Sequence, residues 1–199
     1  MAESKKLSLR ERRKRETRED LLEAAGTLFG QKGYNATSID DIVEEAGASR
    51  ATLYAHFASK SALLEALLDQ MQTEALRYYE QFGELTDWSR RSVLGWVTSF
   101  AVAWERDSAR NRAASAAYPR AFLEDAPRWH REHVRAVRKN TELWSHFTSQ
   151  EASVRASMMV HVLEHELSDR FLSDTESSEI DIDVFVGYLC DAIRALLEA

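Results

Sequence analysis

Two prolines, Pro119 and Pro127, and seven glycines are all that punctuate 199 residues. A many-stranded sandwich or barrel needs turn residues far more often, so the chain is expected to build long helices joined by short turns. The apolar pattern points the same way. Leu21, Leu22, Ala25, Leu28 and Phe29 recur at helical spacing in a segment that starts near Leu9 and that Gly30 and Gly33 close. Thr37 or Ser38 caps a short helix with Ile39, Ile42, Val43 and Ala46 on its apolar face. Gly47 stops it, Ser49 caps a second short helix (Arg50 to Phe57), and Ser59 caps a long one running to about Phe82. Further on, Val93, Val97, Phe100 and Trp104 share a face. Pro119 interrupts the next segment, Pro127 opens a helix from about Ala126 to Ser149, and two more follow, Glu151 to Leu172 and Ile182 to Leu197. The expectation is an all-α fold of about nine helices.

Charge is distributed unevenly. The formal net charge is −7, yet eight lysines and arginines stand before Glu19 against three glutamates, leaving +5 at this end and −12 elsewhere. A basic end on an acidic body suits a polyanionic partner engaged at one end, while a solvated leader is the other reading. The first twenty residues lack the apolar run of a secretory signal, and no apolar stretch reaches membrane-spanning length. A cytoplasmic protein without a membrane partner is expected. Cys190, the single cysteine, excludes an intrachain disulfide framework and a cysteine-based zinc cage.

The short helices joined by "AGAS" have the layout of a helix-turn-helix. Gly47 supplies the positive φ that so tight a turn needs. The second helix then presents its outer face to a DNA major groove. Ala51 and small neighbours allow close approach, and Thr52 suits a thymine methyl or a phosphate. Arg50 suits a guanine edge, although a phosphate would also satisfy it. Tyr54 and His56 face phosphates at the groove edge, and Lys60 sits at a helix N-terminus where ammonium and dipole together favour one. Thr37, Ser38 and Ser49 at the helix starts, with Arg18 closing the basic run from Arg10, complete the candidate DNA-contact set.

These residues carry a resemblance. "GYNATSIDDIVEEAGASRATLYAHFASKSALLEAL", preceded by "TREDLLEAAGTLFGQKGY", resembles the DNA-binding domain of the tetracycline-repressor (TetR/AcrR) family of bacterial transcriptional regulators. Val43 stands where that family usually has Ala, and Ala51 where Gly is frequent. The resemblance covers about Thr17 to Leu68. It implies a homodimeric regulator, a repressor, that binds a pseudo-palindromic double-stranded operator and leaves it when a small molecule occupies the C-terminal domain. The expected organisation is a basic disordered arm (1–8), a helix-turn-helix domain (9–58) and a helical ligand-binding and dimerisation domain (59–199).

The C-terminal part has to be read from its own residues. All five tryptophans lie there. Trp129, His133, Asn140 and Trp144 fall on one stripe of the expected helix after Pro127. With Trp96, Phe100, Trp104, Tyr118 and Phe122 they form the candidate lining of a largely apolar or aromatic effector pocket, with His133 and Asn140 as orienting polar groups. Met158, Val162 and His165 in one helix and Ile182, Phe185, Leu189, Ile193 and Leu196 in the last are the candidate dimer interface, His165 being expected as a buried, hydrogen-bonded histidine. The alternative is that these residues close a monomer core.

One motif belongs to another class. "HVLEH", residues 161–165, fits H-x-x-E-H, so a metal-dependent hydrolase using His161, Glu164 and His165 is the rival reading. A match this short arises by chance, and no phosphate loop or nucleophile constellation accompanies it. The expectation is therefore no enzyme, no cofactor and no metal. A DNA-binding module that recruits a protein through exposed tryptophans is a third reading.

Overall fold

The computed structural model describes residues 8–117, 119–172 and 179–198, the side chains of 113–126 excepted. It contains eight helices and no strand among the described residues: α1 (Leu9–Lys32), α2 (Ile39–Glu45), α3 (Arg50–His56), α4 (Lys60–Phe82), α5 (Arg90–Ala117), α6 (Pro119–Val137), α7 (Ser149–Leu172) and α8 (Ile182–Leu197). The all-α expectation holds with one helix fewer. Residues 1–7 of the arm expected at 1–8 and Tyr118 lie outside the described residues, as does the side chain of Phe122, while Ser8 caps α1.

Polar caps set the N-terminal boundaries. Ser8 and Glu11 form a capping box at α1, and Ser38 and Asp41 form one at α2. Ser49 and Ser59 accept the amides of Thr52 and Ala62 at the starts of α3 and α4. The Asp41 carboxylate also takes the Lys32 ammonium at 3.0 Å. The Ser38 hydrogen bonds first, and then Lys32, hold its pKa down at about 2. Gly47 turns α2 into α3 at φ 61°, as its place in "AGAS" requires.

Two hydrophobic cores result. Leu21, Leu22, Ala25 and Phe29 of α1 meet Ile42, Leu53 and Phe57 in the first, and Leu63, Leu64, Leu67 and Leu68 of α4 complete it. The second is built from α4 through α8, around Tyr79, Phe82, Phe100, Met159, Leu163 and Leu189. Helix α4 therefore enters both, and the boundary drawn after residue 58 falls at its N-terminal end.

Gly30 and Pro127 act differently from their sequence reading, and Gly83, which follows α4, also has a packing role. Gly30 does not end α1, which runs on to Lys32. A Cβ there would stand 3.1 Å from the Ala109 carbonyl oxygen, so Gly30 marks a close crossing of α1 and α5. Gly83 has an ordinary φ of −64°, but an added Cβ would lie 2.2 Å from the Ala136 carbonyl oxygen. Its role is a backbone contact between the end of α4 and α6. Pro127 lies inside α6, not in its first turn, and α6 ends at Val137. The segment after it is held by side chains: the Trp144 indole donates to the Val137 carbonyl at 3.0 Å and the Asn140 amide to Leu85 at 2.9 Å. Asn140 and Trp144 thus sit on a looped segment and share no helical stripe with Trp129.

Substituting Gly83→Ala is expected to cost about 1–3 kcal/mol through overpacking. Gly95→Ala, mid-helix with nothing near the added methyl, should instead gain up to about 1 kcal/mol. Denaturant midpoints of the two variants check the opposed signs.

Candidate nucleic-acid interface and internal cavity

Alternation within α3 separates a structural face from a free one. Leu53 and the following Phe57 are buried, whereas Arg50, Ala51, Tyr54 and Ala55 are exposed, with Thr52 and His56 at the margins. In a helix, positions three and four apart share a face, so these four residues make one outward strip. Two alanines keep the strip low enough for the backbone to approach another molecule. Ser49 and Thr52 hydroxyls lie 2.8 Å apart at its N-terminal end.

Arg50 is held by a partner that the sequence reading missed. Its guanidinium makes a two-pronged ion pair with Asp40 on α2, which raises the arginine pKa and lowers that of Asp40. To touch a base or phosphate it leaves that carboxylate or shares it. The signal was present as an acid ten residues before the arginine, but only the turn geometry brings the two together.

Two candidate contacts are engaged inside the domain. Thr37 is buried and its hydroxyl donates to the Gly33 carbonyl at 2.8 Å. The Lys60 ammonium donates to the Tyr34 and Thr37 carbonyls at 2.8 Å each and lies 4.3 Å from the centre of the Tyr34 ring. Both residues fasten the α1–α2 connection onto α4, and neither presents a free polar group. Ser38 remains exposed as the α2 cap. The basic run is helical: Arg10 to Arg18 are exposed on the first turns of α1, where Arg12–Glu16 and Arg15–Glu19 pair along the surface. Arg18 lies over the Phe57 ring at 4.9 Å. Burial first, and then Lys14 and Arg18, hold the His56 imidazole below its ordinary pKa.

The second feature is a half-open cavity of about 690 Å³ bordered by α4, α5, α6 and α7. Of the candidate lining, Phe100, Trp104 and Trp129 border it. Trp96 does not, being buried with its indole donating to the Tyr78 carbonyl at 2.6 Å. His133 sits behind the wall, its Nδ1 2.8 Å from Glu164 Oε1. Asn140 and Trp144 are elsewhere, Trp144 packing on Trp88. The lining is also more polar than an apolar stripe suggests. Tyr79, Asn111, His130, His161 and Glu164 all border it. Burial, then Glu164, holds the Tyr79 phenol well above its ordinary pKa, and burial, then His161, lowers that of His130. These groups come from four helices, which is why periodicity within one helix could not assemble them.

The cavity adjoins the link between the cores. Glu74, on its α4 wall, accepts from Arg110 of α5 at 3.0 Å, and the Arg110 stem would contact a Cβ placed on Gly26 of α1.

The expected dimer face divides. Phe185, Leu189 and Ile193 are buried in the chain's own core, and Val162, Ile182 and Leu196 pack against it half-buried, because α8 turns this stripe towards α5 and α7. The outward apolar residues are Val154 and Met158 on α7 and Val184 and Tyr188 on α8. His165 is exposed at the cavity and not buried.

Comparison with known proteins bears on the first site. Residues 21–67 match the family described as bacterial regulatory proteins, tetR family. Over 65 residues, 33% of this chain and 28% of the relative, the sequence is 45% identical to the HTH-type transcriptional repressor ComR of Escherichia coli K12. The aligned part spans about a third or less of the first curated relatives' length. Among solved structures, a TetR-family transcriptional regulator from Rhodococcus sp. aligns over 92% of this chain and 100% of its own, with TM-score 0.68 and 24% identity. A SmeT–triclosan complex aligns over 90% of each chain with TM-score 0.68 and 18% identity. The likeness of the C-terminal helices is one of fold.

Replacing Lys60 by Met should destabilise the chain by roughly 1.5–3 kcal/mol, as expected for charge-assisted hydrogen bonds. Urea unfolding checks it, and at temperatures where the variant stays folded its DNA affinity should match the parent's.

Proposed function

We propose that this chain, whose residues 21–67 match the tetR family of bacterial regulatory proteins, is a homodimeric, operator-binding repressor whose DNA affinity is set by a small molecule in the α4–α7 cavity. The observation that carries the DNA reading is the outward strip of α3. Arg50, Ala51, Tyr54 and Ala55 face away from the protein while Leu53 and Phe57 anchor the helix to the first core. Tyr54 and His56, with Arg18 and its basic neighbours on α1, contact phosphates, and Ser38 and Ser49 offer helix N-termini to them. Arg50, positioned by Asp40, reads a base edge.

Two copies are needed to read a pseudo-palindrome. Val154, Met158, Val184 and Tyr188 supply the exposed apolar face on which they pair. The repressor role is supported by the likeness to ComR, a repressor, over the N-terminal third. For the effector, the SmeT–triclosan complex, alike in fold, is bound to a small aromatic molecule. The cavity here offers Phe100, Trp104 and Trp129 for such a ring, and the Tyr79, Asn111 and Glu164 groups for its polar substituents. Occupancy would act through α4, which enters both cores, and through the Glu74–Arg110 pair that ties α4 to α5.

The DNA claim is tested on an operator selected from random duplexes by the full chain. Arg50→Ala should lose roughly 1–3 kcal/mol of discrimination at one position in each half-site, read by fluorescence anisotropy. Loss of affinity that is uniform over all sequences would make Arg50 a phosphate contact. Tyr188→Glu should yield monomers in sedimentation and weaken operator binding, whereas a persistent dimer would place the interface elsewhere.

A further inference from the structure

We propose that His130, His161 and Glu164 form a binding site for a divalent transition-metal ion of the zinc, cobalt or copper type on the wall of the cavity. The sequence pairs His161 with His165, but the fold pairs it otherwise. His161 and Glu164 stand one turn apart on α7, and His130 faces them from α6, with one donor atom of each lying within 4.8 Å of the others. In a tetrahedral zinc site with bonds of about 2.0–2.1 Å, donor atoms are roughly 3.3 Å apart.

The donors are prepared for the task. His130 Nε2 is 2.8 Å from the Ser157 hydroxyl, which fixes the ring, while its Nδ1 is buried without a hydrogen-bond partner. A buried, unpartnered imidazole nitrogen is costly unless something fills its lone-pair direction. The His130 and His161 rings stack with centroids 4.1 Å apart, which brings the two imidazoles from α6 and α7 side by side. Glu164 lies 2.8 Å through Oε1 from His133 Nδ1 and stands beside the Tyr79 phenol. A carboxylate oriented by a buried histidine is the outer support that metal ligands commonly have.

Two imidazoles and one carboxylate suit a borderline cation rather than magnesium or calcium, which take oxygen donors. Three protein ligands leave further positions open towards the cavity, where a water or a small molecule with an oxygen or nitrogen donor completes the shell. The site stands independently of the operator reading, since nothing in it involves α1 to α3.

The test uses the full chain, stripped with chelator and freed of any polyhistidine tag. Titration with Co²⁺ is expected to give visible d–d bands that saturate at one ion per chain and are displaced by Zn²⁺. His161→Asn and Glu164→Gln should each raise the dissociation constant at least about tenfold, with helical circular dichroism retained. His130→Asn serves if either variant fails to fold. His165→Ala, outside the triad, should leave the titration unchanged. Saturation absent in the parent chain, or undiminished in His161→Asn and Glu164→Gln, overturns the proposal.

Discussion

Among the described residues, α4 is the one helix whose side chains enter both hydrophobic cores. Its first half places Leu63, Leu64, Leu67 and Leu68 against α1, α2 and α3. Its second half places Tyr79 and Phe82 among the C-terminal helices, and the surface between carries one wall of the cavity. An α-helix is stiff over 23 residues, so displacement of one end carries over to the other. The helix-turn-helix is thereby mounted on an element that also forms one wall of the cavity. The crossing of α1 over α5 at Gly30 adds a second connection, close enough that a Cβ there would crowd the Ala109 carbonyl.

The electrostatics of the DNA face are less simple than net charge implies. Arg50 carries its own carboxylate partner, and exposed i,i+4 pairs offset part of the basic run on α1. Surface pairs of this kind contribute little to stability. Their consequence is positional: Asp40 fixes the direction of Arg50 before any partner arrives, which lowers the ordering entropy that binding must overcome. The acidic body beyond α3 repels other parts of a polyanion and leaves this face as the favourable approach.

Local signals in the sequence were sufficient for most of the N-terminal third. Ser38, Ser49 and Ser59 cap helices at the expected places, and Gly47 has the expected positive φ, because caps and turns depend on neighbours a few residues away. Contacts between distant segments were not legible. The Lys60 ammonium serves carbonyls 26 and 23 residues earlier, so a helix-start lysine read by itself suggests a phosphate contact instead. The stripe from Trp129 to Trp144 failed for a related reason. The Trp144 indole caps the Val137 carbonyl and ends α6, a tertiary interaction that overrides a continuing apolar period. Likewise Phe185, Leu189 and Ile193 have the spacing of an interface, but apolar spacing identifies a buried face and not what buries it. His161 of "HVLEH" acquired a neighbour, His130, that lies 31 residues away in another helix.

The account stands on coupling between cavity and DNA face, and occupancy can be imposed without knowing the effector. Ala75 lies on the cavity wall of α4, and Ala75→Trp fills that space with an indole. Operator affinity of the folded Ala75→Trp chain, measured against the parent and an exposed alanine-to-tryptophan control, is expected to fall by roughly 5- to 150-fold, the usual range of such couplings. An unchanged affinity with the cavity filled would contradict the account.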